Sequence, residues 1–109
     1  MEADNRMKSR NVVLVATLAL CVNIAAMADG GATFKAKCAM CHGADGSGNT
    51  GIGKSMGLKD LGSAEVQSMS ETDLAALISN GKGKMPAYKD KLSAGDISDL
   101  VKYIRTLKK

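Results

Sequence analysis

The stretch Cys38-Ala39-Met40-Cys41-His42 brings together two of the chain's three cysteines and its single histidine. A zinc site usually has four ligands, and these residues supply at most three. A redox-active Cys-x-x-Cys pair belongs after a strand of an α/β fold, whereas the flanking sequence here is helical or rich in glycine. A disulfide between residues three apart would close too small a loop to add much stability. All three interpretations are therefore weak.

The same five residues match Cys-x-x-Cys-His, the pattern through which haem c is attached to a polypeptide. Two thiols at this spacing, at the end of a short helix, reach the two vinyl groups on one edge of a haem. The adjacent imidazole then lies under the iron. We therefore predict one covalent haem c, attached through Cys38 and Cys41, with His42 as the proximal ligand. We also expect a backbone carbonyl near residues 51–53 to accept the second imidazole N–H.

Met85 is the predicted distal ligand of the iron. It lies in the methionine loop, residues 81–86, whose sequence is Gly-Lys-Gly-Lys-Met-Pro. The glycines let the backbone approach the haem face, and the proline favours an extended conformation of the residue before it. Met69 precedes a predicted helix and is expected to fill the core. Met56 follows the attachment motif closely, in a stretch that must first pass round the haem edge.

Residues 1–28 have the order of a secretory signal peptide. A basic start precedes a nearly apolar run over 12–26, and Ala-Met-Ala at 26–28 offers small residues for a signal peptidase. As a helix, this run and the residues after it would span about 25 Å, short of a ~30 Å hydrocarbon core, which disfavours an uncleaved anchor. We predict cleavage, a mature domain of residues 29–109, a periplasmic location and no stable membrane insertion. Met7 is an alternative start.

The chain is poor in aromatic residues, which are limited to Phe34, Tyr88 and Tyr103. Each buried aromatic side chain contributes roughly 150–250 Å² to a core, so a domain of this length has little aromatic volume of its own. A covalently held haem would supply the missing aromatic centre. The net charge of +4 is mild and indicates no nucleic-acid partner.

Helical signals occupy most of the remaining sequence. Residues 33–39 and 63–69 are compatible with short helices, and Ser-x-x-Asp patterns at 70–73 and 93–96 predict two helix starts. Gly81 is a fitting helix stop. Apolar residues recur at helical spacing in the last segment: Ile97, Leu100, Val101, Ile104 and Leu107.

The glycine-rich stretch 43–57 is predicted to be loop throughout. It contains Gly-x-Gly-x-x-Gly at 46–51, but that dinucleotide-binding fingerprint needs a preceding strand, and the haem motif stands there instead. No alternating run in the chain predicts a buried strand.

With these motifs in place, residues 30–109 resemble a small bacterial class I cytochrome c. The resemblance is carried by the helix entering the haem motif (34–38), the turn after it (41–46), the methionine loop and the last helix (100–107). It implies an all-α fold of three to five short helices wrapped around one covalent haem c. It also implies that Gly30 and Phe34 lie where the terminal helices cross, against Leu100 and Tyr103.

The predicted function is that of a soluble one-electron carrier, not an enzyme, because His42 and Met85 would fill both axial positions and no second histidine exists. Two alternatives stay open: a haem subunit of a larger redox complex, and a haem enzyme or gas sensor with a labile sixth ligand. The lysines around the haem motif and the methionine loop predict redox protein partners that carry acidic docking patches, although a merely solvated charged face is equally consistent. These lysines are Lys35, Lys37, Lys82, Lys84, Lys89 and Lys91. We also expect the protein to be a monomer.

Overall fold

The computed structural model describes residues 29–109, so the predicted signal peptide and its cleavage site lie outside the described residues. Six helices follow one another along these residues: α1 (Gly30–Lys37), α2 (Ala39–His42), α3 (Gly51–Met56), α4 (Ala64–Gln67), α5 (Glu71–Asn80) and α6 (Ala94–Thr106). In this part of the chain the only extended pairing is an isolated bridge between Lys82 and Met85. The all-α prediction is confirmed, with one helix more than the predicted range. Among the described helices, none has the length and apolar character needed to cross a membrane.

The stretch 43–57 contains α3, so the prediction that it is loop throughout is wrong. Thr50 caps α3 by accepting a hydrogen bond from the backbone N–H of Gly53, and Gly57 ends the helix in the left-handed conformation at φ 64°. Gly53 serves close packing, because a Cβ at this position would lie 2.2 Å from the carbonyl oxygen of Gly48. Tertiary contact therefore overrides the low helix propensity of glycine here.

The terminal helices α1 and α6 cross in direct backbone contact. A Cβ on Gly30 would lie 2.3 Å from the carbonyl oxygen of Asp99, so glycine is what allows the crossing. One turn further, the buried ring of Phe34 packs on Tyr103 with ring centroids 5.1 Å apart. Leu100 is equally buried. The placement implied by the family resemblance is confirmed.

Capping residues set the ends of the two longest helices. Ser70 accepts a hydrogen bond from the backbone N–H of Asp73 at the start of α5, and Gly81 ends that helix. At the start of α6, Ser93 and Asp96 form a reciprocal capping box. The predicted apolar stripe of α6 faces the core, with Leu107 partly buried and the other members buried: Ile97, Leu100, Val101 and Ile104.

Two polar side chains fasten the short helix α4 to the end of α6. The Gln67 amide donates to the carbonyl oxygens of Leu61 and Ile104 at 2.8 and 2.9 Å. The Arg105 guanidinium donates in the opposite direction, to the carbonyl oxygens of Gln67 and Met69 at 3.0 and 2.5 Å. These bonds fix the chain segment that supplies one wall of the interior.

Candidate functional site

The helices enclose an apolar cleft of about 290 Å³. Cys38, His42 and Met85 line it together with core side chains from α1, α5 and α6. A narrower cavity of about 50 Å³ is lined by the same three residues and by Cys41. The structure thus brings together all four residues that the sequence predicts at the haem. Met69 lines the larger cleft but not the narrower cavity, and it packs against the core, as predicted.

The attachment motif is held by the loop that follows it. Cys38 ends α1 and begins α2, and its carbonyl oxygen accepts hydrogen bonds from the backbone N–H groups of Cys41 and His42 at 3.3 and 3.0 Å. The hydroxyl of Thr50 donates to the carbonyl oxygen of Cys41 at 2.7 Å. The backbone N–H of Gly48 donates to the carbonyl oxygen of His42, also at 2.7 Å. The glycine-rich loop therefore orients the motif and is not a nucleotide-binding turn.

The His42 imidazole is suited to bind a metal. Burial lowers its pKa, which favours the neutral form that ligates iron. Its Nδ1 is buried and has no hydrogen-bond partner. The prediction that a carbonyl near 51–53 accepts from this ring is wrong. Those residues belong to α3, where the carbonyl oxygen of Gly53 accepts from the backbone N–H groups of Gly57 and Leu58.

Both cysteines of the motif are half-buried, and no disulfide joins them. Burial, with a smaller contribution from Cys41, raises the pKa of Cys38 and so favours its protonated form. A redox-active pair needs a readily formed thiolate, which this environment disfavours. Across residues 29–109, no cluster of three or more His, Cys, Asp or Glu side chains could hold a metal ion. The fit is to a haem, which brings its own nitrogen ligands, and not to a zinc ion.

The methionine loop is a tight turn. Lys82 and Met85 exchange two backbone hydrogen bonds, at 3.2 and 3.0 Å. Gly81 has φ 74°, and a Cβ there would lie 2.6 Å from the carbonyl oxygen of Met85, so only glycine suits the position. The Met85 side chain is half-buried and packs against the core.

A helical shell this poor in aromatic residues, closed around a cleft beside a Cys-x-x-Cys-His motif, is the architecture of a c-type cytochrome. Comparison with protein families makes the assignment specific. Residues 25–104 match the family described as cytochrome c oxidase, cbb3-type, subunit III, and the chain belongs to this family.

Individual relatives agree with the family. The chain is 34% identical to a cytochrome c6-like protein of Nostoc sp. over 91 residues, and this match covers 84% of this chain and 79% of the relative. It is 38% identical over 77 residues to cytochrome c6 of Leptolyngbya boryana, covering 71% of this chain and 87% of the relative. The solved c-type cytochrome KustC0563 has a TM-score of 0.70 at 31% identity, covering 75% of this chain and 100% of that one.

The protein is therefore a small class I cytochrome c with one covalent haem c, an electron-transfer protein and not an enzyme. Its partners are redox proteins. Sequence reasoning missed two residues at the site: Thr50, which donates a hydrogen bond to Cys41 of the haem motif, and Tyr88, which donates one to Lys37 immediately before the motif. Their partners lie 9 and 51 residues away along the chain, and no local pattern signals such pairs.

Proposed function

We propose that Cys38 and Cys41 hold the haem through thioethers and that His42 and Met85 are its two axial ligands. The observation that carries this proposal is that all four side chains line one narrow cavity beside the apolar cleft. Haem c, when bound, supplies the one-electron chemistry. The chain's apolar side chains exclude water from the haem, and a thioether ligand raises the reduction potential relative to many other ligations.

The choice of Met85 over the other methionines rests on position. Met85 lines both the cleft and the narrow cavity. Met69 lines only the cleft, and Met56 lines only the narrow cavity. Met85 also lies in a turn closed by backbone hydrogen bonds, which presents the thioether at a defined place. Such a ligand set leaves no open position for a substrate.

Met85→Ala tests the distal ligand directly. We expect the ferric variant to lose the methionine–iron charge-transfer band completely and to gain high-spin character, because alanine offers no ligand atom. The measurement is the visible spectrum beside that of the unaltered protein. Met56→Ala and the volume-conserving Met69→Leu are matched controls that keep the band. A band that survives in Met85→Ala would show that another residue is the ligand.

A second candidate function is that of a haem-carrying subunit of a larger redox complex. The family description, which names an oxidase subunit, favours it, whereas the cytochrome c6 relatives favour a free carrier. Purification of the protein under mild conditions separates the two. A complex subunit elutes with its partners, and a free carrier elutes as a monomer.

We further propose that the lysines around the cleft steer acidic redox partners toward it. All six lysines of the predicted set are exposed, and within the described residues none of them forms a salt bridge. Lys84 and Lys82 lie closest to the chemistry, since Lys84 lines the narrow cavity and Lys82 the cleft. Unpaired positive charge beside a redox centre raises the association rate with negatively charged partners.

Small inorganic oxidants of opposite charge test this steering. Oxidation of the reduced protein by the ferricyanide anion will slow as ionic strength rises, while oxidation by a cationic cobalt complex will not. Lys84→Glu will lower the ferricyanide rate at low salt by about tenfold. Lys102→Glu makes the same charge change on α6, outside both cavities, and will have a much smaller effect. Equal effects of the two variants would rule out local steering.

We also propose that residues 1–28 direct export and are then removed, which leaves residues 29–109 as a soluble periplasmic domain. The basic start, the apolar run and the small residues at 26–28 support this proposal.

A further inference from the structure

Tyr88 joins two parts of the chain that surround the haem site. Its hydroxyl donates a hydrogen bond to the carbonyl oxygen of Lys37 at 3.1 Å, across 51 residues of sequence. Segment 81–92 carries Met85, and segment 29–57 carries the attachment motif. Within residues 29–109, the bond from Tyr88 to Lys37 is the only hydrogen bond between these two segments.

The acceptor of this bond lies next to the point of haem attachment. Lys37 is the last residue of α1, and the final carbonyl groups of a helix lack helical partners. The neighbouring carbonyl oxygen of Phe34 is satisfied by the backbone N–H of Cys38 at 2.8 Å. The carbonyl oxygen of Lys37, by contrast, accepts only the Tyr88 hydroxyl within the described residues. The bond therefore ties Tyr88 to the peptide that immediately precedes Cys38.

The donor is well placed to act on Met85. The backbone N–H of Tyr88 donates to the carbonyl oxygen of Ile78 at 3.0 Å, and the backbone N–H of Lys89 donates to the carbonyl oxygen of Ser79 at 3.1 Å. These two bonds anchor residues 88 and 89 to α5. The Tyr88 ring lines the narrow cavity beside Met85. Within the described part of the chain, the backbone of residues 82–87 forms hydrogen bonds only between Lys82 and Met85.

We propose that Tyr88 is a latch that holds the methionine loop closed over the haem site and so sets how often Met85 leaves the iron. Tyr88 is a positioning residue, and this inference rests on the proposed ligation by Met85. Movement of segment 81–92 away from the attachment motif must break the bond between Tyr88 and Lys37. Phenylalanine would keep the ring in the cavity and remove the hydroxyl, which is the only donor from segment 81–92 to this carbonyl oxygen within residues 29–109.

The test is the binding of imidazole to the ferric protein, since imidazole occupies the distal position only when Met85 has left it. We expect Tyr88→Phe to bind imidazole about fivefold more tightly, the factor that corresponds to the net contribution of one hydrogen bond. The rate of imidazole binding at saturation, which reports opening of the loop, will rise in parallel.

Two controls separate a latch from general destabilisation. Tyr103→Phe removes a hydroxyl on α6 that, within the described residues, makes no hydrogen bond to segment 81–92. Ile97→Val loosens the core at a position outside both cavities. Neither variant will change imidazole affinity, although Ile97→Val will lower the denaturant midpoint. If Ile97→Val strengthens imidazole binding as much as Tyr88→Phe, or if Tyr88→Phe matches the unaltered protein, the latch is overturned.

The same data distinguish this inference from the ligation on which it rests. If the unaltered ferric protein lacks the methionine–iron band and its imidazole-binding rate never saturates, the proposed Met85 ligation fails and the latch fails with it. If the band and the saturation are present but Tyr88→Phe has no effect, the latch alone fails.

Discussion

The double variant Cys38→Ala, Cys41→Ala, isolated without haem, will lack the helical fold at 25 °C. The cleft has a volume of about 290 Å³, and we propose that the haem lies in it. Left empty, a void of that size costs about 7 kcal/mol at roughly 24 cal/mol per Å³. This is comparable to the whole net stability of a small domain, about 5–15 kcal/mol. The remaining buried core contains one aromatic side chain, Phe34, and is too small to offset this loss of stability.

Far-UV circular dichroism measures this effect. The holoprotein will show the helix content of the six helices between residues 30 and 106, and the haem-free double variant will show a disordered spectrum. Cys38→Ala alone is the intermediate control, because it keeps one thioether position and His42 and so retains haem. A haem-free double variant with the helix content of the holoprotein would mean that the chain folds without the cofactor.

Gly30→Ala will lower the free energy of unfolding by about 3 kcal/mol, the upper range for an overpacked site. The added Cβ would lie 2.3 Å from the carbonyl oxygen and 2.7 Å from the carbonyl carbon of Asp99. These are backbone atoms of α6, so no side-chain rotation can relieve the contact. The helices α1 and α6 would have to separate, which exposes Phe34 and Leu100, the two most deeply buried large side chains among the described residues.

Denaturant unfolding of the holoprotein gives the measurement, and Gly51→Ala is its matched control. Gly51 begins α3, and a Cβ there meets nothing within 4 Å. Alanine at such a helical site is neutral or stabilising by roughly 0.5–1 kcal/mol. Equal losses from the two glycine variants would show that the crossing of α1 and α6 is not the cause.

The features that sequence alone predicted are those whose physics is local. Cys-x-x-Cys-His defines a covalent haem by spacing alone, because the two thiols must match one edge of a rigid ring. The box formed by Ser93 and Asp96 and the apolar spacing along α6 depend on residues within two turns of each other. Gly81 was predictable as a helix stop because a positive φ excludes most other residues there.

The features that only the tertiary structure decided depend on residues distant in sequence. In α3, glycine serves close contact instead of flexibility, because a Cβ on Gly53 would lie 2.8 Å from the carbonyl oxygen of Cys41, which belongs to the haem motif. The bond from Tyr88 to Lys37 joins groups 51 residues apart. Local propensity carries no information about such pairs, since their free energy exists only once the helices have packed around the haem. Sequence by itself thus determined the cofactor, the fold class and the ends of the two longest helices, and packing decided how the two sides of the haem site are held together.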